Sequence, residues 1–164
     1  MEEYLADAYH QQYGMSIAIA RPYNAYGPRD NFDPDGSHVI PALIRRVCGG
    51  ENPLMVWGDG KQSRSFLYAE DFARGLLLTT EKYAESDVLN IGSDEEVSIA
   101  ELVDLIVDLS GMRPDIEYDI SKPIGQPRRC CDTRKAAEKI GFNTRISLAE
   151  GLEKTIRYYR SIDS

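Results

Sequence analysis

Two histidines stand in the whole chain, and one of them, His38, lies in "NFDPDGSHVIPALIRR", between a turn-rich loop and an apolar helix ending in Arg45 and Arg46. Eight helical residues rise about 12 Å, a span that a sugar and its phosphate tail can cover. At about 100° per residue, Arg45 returns to the side of His38, opposite the apolar stripe, and Arg46 lies on the flank of that stripe. His38 is therefore a candidate acid/base group above an arginine clamp. The competing explanation is a helix-start residue beside a solvated basic end. A helix N-terminus also disfavours imidazolium, so a protonated His38 needs a nearby anion.

Other cations stand at turns. Arg64 follows the tight turn in "GDGKQSRSF", and Arg128 and Arg129 follow Gly and Pro in "GQPRRCCD". Each alone reads as surface charge. Together, in a chain of net charge −8, they suggest positive charge kept for a local purpose, since guanidinium groups donate to diphosphate in a planar fork. Trp57, just before the same turn, can stack on a base or sugar or belong to the core. Asn24 in "RPYNAYGP" comes directly after an apolar strand, where open α/β sheets bind ligands, although an Asn there can equally satisfy its own turn.

The elements that must position these groups alternate. "EEYLADAYHQQYG" predicts a helix with Leu5, Ala8, Tyr9 and Tyr13 on one face and Gly14 as its stop. "SIAIARP" predicts a strand over residues 16–21, apolar on both faces and so buried on both sides of a parallel sheet. Residues 22–37 read as a long functional loop. Ser37 is the expected N-cap of the next helix, whose buried stripe is Val39, Ile40, Leu43, Ile44 and Val47. "PLMVWGDGKQSRSFLYA" predicts two strands joined as a hairpin at Asp59-Gly60. A helix with Phe72, Ala73, Leu76 and Leu77 on its inner side follows, then a buried strand over residues 88–91. Ser98 with Glu101 and Ser147 with Glu150 have the spacing of capping boxes, and Gly111 and Gly141 of helix stops. "DIEYDI" reads as a strand and "DTRKAAEKIGF" as a short helix.

This alternation predicts an α/β fold: a partial Rossmann-type parallel sheet plus a small mixed α/β substrate-binding domain. The 164-residue length fits one domain or a large piece of a bigger protein. The acidic balance argues against a nucleic-acid partner, and no apolar run is long enough for a membrane span. Three cysteines, two of them adjacent, fit a reducing, cytoplasmic setting without structural disulfides or zinc. No metal-ligand spacing appears. No glycine-rich turn follows a strand and opens a helix.

In order and spacing, "RPYNAYGPRDNFDPDGSHVIPALIRR", "VWGDGKQSRSFLYAEDFARGL", "VLNIGSDEEVSIAEL" and "KPIGQPRRCCDTRKAAEKIGF" resemble the C-terminal half of the extended short-chain dehydrogenase/reductases, the NAD-dependent epimerase/dehydratase family. "DNFDPDGSHVIPALIRR" and "SKPIGQPRR" are most similar to its GDP-fucose synthase branch. The resemblance implies that Pro22, Tyr23, Asn24 and Ala25 touch the nicotinamide end of NAD or NADP, that His38 is the acid/base of epimerisation, and that Arg46, Trp57 and Arg64, with Arg128, hold a nucleotide-diphosphate sugar. It prefers Arg46 where the helical-face argument prefers Arg45. Tyr23 stands where the branch usually has a small residue, and Ser65 where the wider family often has an acidic one, so a related epimerase acting on another sugar nucleotide fits as well.

The resemblance also implies that the Tyr-x-x-x-Lys motif and the cofactor-binding glycines belong to an N-terminal half preceding residue 1. On that expectation the chain alone binds no cofactor tightly and is inactive, and it self-associates or pairs with a complementing N-terminal half. The alternative is a non-catalytic module that binds a nucleotide-sugar or assembles with another chain.

Overall fold

The computed structural model describes residues 1–162. Helix α1 (Glu2–Tyr13) ends at Gly14 in the left-handed conformation. Strand β1 (Ile17–Pro22) follows and pairs in parallel with β6 (Glu85–Ile91), Ala20 opposite Leu89 and Pro22 opposite Ile91. Between them come β2 (Ala25–Tyr26), α2 (Val39–Cys48), β3 (Leu54–Trp57), β4 (Ser63–Ser65), β5 (Leu67–Tyr68) and α3 (Ala69–Lys82). After β6 run β7 (Glu96–Ser98), α4 (Ile99–Ser110), β8 (Ile116–Asp119), β9 (Arg128–Arg129), α5 (Arg134–Ile140) and α6 (Leu148–Ile162). Parallel pairs β1–β6, β2–β5 and β3–β8 and a mixed three-stranded sheet β7–β4–β9 make the α/β fold.

Two apolar clusters hold these layers. The larger joins Ile40, Leu43, Ile44 and Val47 of α2 to β3, α4 and α6. The smaller joins Leu89 and Ile91 of β6 to Leu67, Tyr83, Ala136, Ile140 and Phe142. Helix α2 starts at His38 rather than Ser37, and His38 caps it without a side-chain bond. Pro41 sits in the first turn, where a missing N–H leaves no helical bond unmade. Val39 is turned outward, so the stripe is Ile40, Pro41, Leu43, Ile44 and Val47. The Ser98–Glu101 box is formed in both directions and starts α4, and Gly111 ends it in the left-handed region.

Three other expectations give way to packing. Asp59-Gly60 makes a turn, with Lys61 N–H donating to Asp59 Oδ1, but no hairpin. β3 pairs with β8, while β4 pairs with β7 and β9. Helix α3 turns Leu76 and Leu77 outward and packs through Asp71, Gly75 and Thr79. A Cβ at Gly75 would stand 2.3 Å from Ile91 Cγ2, so glycine is what lets α3 approach β6. Strand β1 is half-buried rather than buried, and among the described residues it pairs with β6 alone. The apolar side of α1 is exposed, Leu5, Tyr9 and Tyr13 included.

One ion pair ties the two clusters. Asp71 is 2% exposed. Its Oδ1 accepts from Arg74 at 2.7 Å, and its Oδ2 accepts from the N–H groups of Arg145 (2.8 Å) and Ile146 (3.0 Å) just before α6. Arg74 also donates to Asn143 O and lies 4.9 Å from the Phe142 ring centre. Burial pushes the Asp71 carboxyl up, but Arg74 and the two backbone donors outweigh it and hold the group below its ordinary 3.8. A depressed carboxyl stabilises the fold above its unfolded pKa, and that contribution is lost as pH falls through the folded value. Asp71→Asn should cost about 3 kcal/mol in urea unfolding at neutral pH. It should also flatten the decline in stability below pH 3.8; a parent-like acid limb in the variant would show that other carboxylates carry it.

Candidate functional site

The site begins where β1 ends. Tyr23 N–H donates to Ile91 O at 3.0 Å, prolonging the β1–β6 ladder by one bond. Asn24 then takes a left-handed backbone, φ +39°, which Asn tolerates better than most residues. Its Nδ2 donates to Ser65 O at 2.8 Å, and its O accepts from Leu67 N–H at 3.1 Å. The chain thus leaves one parallel pair and enters the next, Ala25 and Tyr26 lying opposite Leu67 and Tyr68. Behind the turn stands Gly92, where a Cβ would be 2.5 Å from Cys131 Sγ and 3.0 Å from Tyr23 Cβ. Cys131 N–H donates to Ser65 Oγ at 3.2 Å. Burial pushes the Cys131 thiol up to about 11, so it is a packed, unreactive group at neutral pH.

Strand β4 carries the cations to this turn. Ser63 lies opposite Arg128 and Arg64 opposite Arg129. Successive side chains of a strand point to opposite faces, so the two neighbours separate. On one face, Arg128 makes a fork to Glu96, with contacts of 2.8–3.1 Å, and Ser63 Oγ donates to the same carboxylate at 2.5 Å. Arg128 and Ser63 hold Glu96 at about 2. On the other face, the Arg129 guanidinium lies 5.5 Å from the Tyr23 ring centre. Arg64 donates to Ser63 O at 2.7 Å and, at 3.4 Å, to Ile124 O. Near by, the Lys122 ammonium stands 5.9 Å from the Trp57 ring centre, and Trp57 is 58% exposed.

Most other cations have carboxylate partners: Arg21 with Glu3, Arg46 with Glu51, Arg74 with Asp71, Arg134 with Asp132 and Lys135 with Asp87. Among the described residues, Arg64, Arg129 and Lys122 form no salt bridge, as is also true of Arg29, Arg45, Lys82, Lys139 and Arg145; what sets the first three apart is their place at the strand ends and the Tyr23 and Trp57 rings. Unneutralised cations beside an aromatic ring and an open strand end are arranged to hold an anion with an attached flat group. That anion site, at the C-terminal end of a parallel strand, is what the geometry offers chemically.

The structure brings together Tyr23, Asn24 and Arg64 of the sequence candidates, with Trp57 at the edge. Pro22 closes β1 and Ala25 opens β2 on either side. It takes Arg128 to the opposite face and puts Arg129 beside Arg64. Arg46 is held by Glu51 and donates to Met55 O at 2.6 Å, which pins the end of α2 to β3. Glu51 is pulled down by that same Arg46. Arg45, preferred by the helical face, is half-buried, with Nε lacking a hydrogen bond. His38 is exposed, and its ring makes no hydrogen bond to any described residue. The strand alternation that distinguishes Arg129 from Arg128 is legible only once β9 is known to be a strand in register with β4.

Among the described residues, no group of three or more His, Cys, Asp and Glu can hold a metal ion, and no helix is long and apolar enough to cross a membrane. The cysteines Cys48, Cys130 and Cys131 are unbridged. For a nicotinamide cofactor, the Pro22–Ala25 turn offers one edge. The described helices start at Met1, His38, Tyr68, Ser98, Thr133 and residue 148, and none is opened by a glycine-rich turn after a strand. These residues alone do not fit the cofactor's pyrophosphate.

The fold is that of an α/β protein with parallel strand pairs. Residues 1–92 match the NAD dependent epimerase/dehydratase family, and the chain belongs to that family, in its GDP-fucose synthase-like branch. It is 39% identical over 161 residues to the GDP-L-fucose synthase of Sinorhizobium fredii, covering 96% of this chain and 51% of that protein. It is 39% identical over 160 residues to a Streptomyces dTDP-4-dehydro-6-deoxy-D-allose reductase, covering 96% of this chain and 48% of the relative. The structure superposes on the UDP-glucose 4-epimerase of Thermotoga maritima, solved with UDP-glucose, with a TM-score of 0.89 and 30% identity, covering 99% of this chain and 52% of that one. The chain spans about half the length of the curated relatives it matches.

The two faces of β4 and β9 should respond differently to mutation. In NMR titrations with inorganic pyrophosphate, Arg64→Ala and Arg129→Ala should each weaken binding about tenfold, the equivalent of one charged hydrogen bond. Arg128→Ala should leave pyrophosphate binding unchanged and raise the Glu96 carboxyl from about 2 toward its ordinary 4.5. Loss of binding in Arg128→Ala with none in Arg129→Ala would reverse the assignment.

Proposed function

We propose that the chain supplies the nucleotide-sugar side of an NAD(P)-dependent epimerase or reductase site. The carrying observation is Arg129 over the Tyr23 ring at the turn that follows β1, with Arg64 opposite it on the neighbouring strand and Lys122 over Trp57 near by. In this reading Arg64 and Arg129 hold the diphosphate and Trp57 lines the base or sugar end. The Tyr23–Asn24 turn borders the nicotinamide. Arg128 steadies the sheet through Glu96, and Arg46 steadies the α2–β3 junction. His38 is the proton-transfer group, acting on a carbon made acidic by an adjacent ketone.

The cofactor supplies hydride chemistry when bound. Its pyrophosphate requires a glycine-rich turn from a complementing N-terminal half, which pairs along the open edge of β1. Self-association along the same edge and the exposed side of α1 is the competing arrangement. Chemistry on a sugar nucleotide fits the cytoplasm, where three unbridged cysteines stay reduced. A non-catalytic nucleotide-sugar-binding module is the second reading, and it draws on the lack of a pyrophosphate cradle among the described helices.

Titration of the chain with GDP-, UDP- and dTDP-sugars, followed by NMR, tests the main reading. We expect shifts around Arg64 with a dissociation constant of about 1 mM, equivalent to ~4 kcal/mol. Arg64→Ala should remove about 1.5–3 kcal/mol of this, leaving no measurable binding, while His38→Ala binds as the parent does. Calorimetry should detect no micromolar binding of NAD or NADP. Micromolar cofactor binding, or a ligand footprint away from Arg64, sinks the assignment. Turnover on mixing with an N-terminal half separates the enzyme from the binding module.

A further inference from the structure

Between β8 and β9 the chain crosses the Trp57 end of the site as an exposed segment, residues 121–127. Both its ends are pinned. At the start, Asp119 Oδ1 accepts from Ser121 N–H at 3.0 Å and from Ser121 Oγ at 2.6 Å. At the finish, Pro127 O accepts from Ser63 N–H at 2.9 Å, next to the Arg128–Glu96 fork. The middle is held by little. Arg64 Nη2 donates to Ile124 O at 3.4 Å, a long bond. Ile124 seats its side chain over Gly58, where a Cβ would stand 2.1 Å from Ile124 Cγ2. Gly125, at φ +66°, supplies the bend. Lys122, in the same segment, reaches over Trp57.

We propose that residues 121–127 are a hinged strap forming the movable wall of the anion site, with Ile124 as its knob, Gly58 as its socket and Arg64 as its latch. The inference rests on the reading that Arg64 takes a diphosphate. The groups that hold the strap are then the groups that meet the ligand. An anion at Arg64 competes with Ile124 O for the same Nη2 donor, and phosphate is the stronger acceptor. A flat group entering beside Trp57 takes the ring face that Lys122 covers. The strap lifts at its weakly held centre while both ends stay fixed. Lys122 is released from the ring and becomes the third cation on the diphosphate. The ligand favoured by this device carries an aromatic group one sugar away from its diphosphate, as a nucleoside diphosphate does. Inorganic pyrophosphate gains from the latch alone.

Trp57 is the one tryptophan of the chain, so its emission reports on the strap directly. Without ligand, acrylamide quenching of Ile124→Ala should rise at least about twofold over the parent, because the strap is locally open. With UDP or GDP added, quenching of the parent should fall as the base covers the ring. Lys122→Met should lose about fivefold in UDP and GDP affinity, an effect screened out by salt, and about nothing for pyrophosphate. Equal quenching in Ile124→Ala and the parent overturns the strap. Parent-like nucleotide affinity in Lys122→Met overturns the role of Lys122. If the parent binds neither UDP nor GDP, the proposed function fails, and the ligand-free quenching comparison still decides the strap on its own.

Discussion

The conformation of one residue, Asn24, determines how the rest of the site is assembled. Its left-handed backbone turns the chain out of the β1–β6 pair. Its amide and carbonyl then tie it to Ser65 O and Leu67 N–H. Both partners flank Phe66, which is buried against the larger cluster. The same short stretch, β4 to β5, carries Arg64 on one side of this tie and the β2–β5 pair on the other. An Asn side chain is needed because a single residue must both occupy φ +39° and donate to a carbonyl of a different strand. Its donor is therefore engaged in architecture. Through these bonds it fixes the positions of Tyr23 and Arg64.

A second constraint acts behind Asn24. Gly92 ends β6 where the chain after β9 crosses it, and Cys131, Tyr23 and Gly92 meet within what a single methyl would fill. Since Cys131 also bonds Ser65, β9 is drawn against β4 and its arginines are brought to the turn. The long separation in sequence between Arg64 and Arg129 is thus closed by small residues and backbone bonds rather than by attraction between charges, which would repel.

How much of this was legible depends on whether the deciding contact is local. The Ser98–Glu101 box and the Gly111 stop are local, and the sequence shows both. The turn at Asp59-Gly60 is local too, but pairing is not. β8 and β9 arrive from more than fifty residues downstream and take β3 and β4 into separate sheets, which no turn residue announces. In α3 the apolar period pointed to Leu76 and Leu77. The packed face is instead the one bearing Gly75, because close approach to Ile91 outweighs side-chain area there. For the site, residue types pointed to arginines at turns, and Arg64 lies on β4 after the Asp59-Gly60 turn. Choosing between Arg128 and Arg129 required the register of a two-residue strand, and a one-residue slip exchanges their faces.

The distribution of charge follows from the same register. In a chain of net charge −8, several arginines, Arg21, Arg46 and Arg134 among them, have carboxylate partners, and exposed pairs of that kind add little stability. The pair Arg128–Glu96 is best understood by what it prevents. Glu96 sits on β7 beside β4, opposite Ser65. On the Arg64 face, it would neutralise the cations gathered there. Held below the sheet by Arg128 and Ser63, its charge is matched on its own side. The adjacent arginines are thus separated: Arg128 pairs with Glu96, and Arg129 lies on the Arg64 face over the Tyr23 ring. Two basic residues side by side on a strand achieve this separation without any further element, because the pleat itself assigns them to different faces.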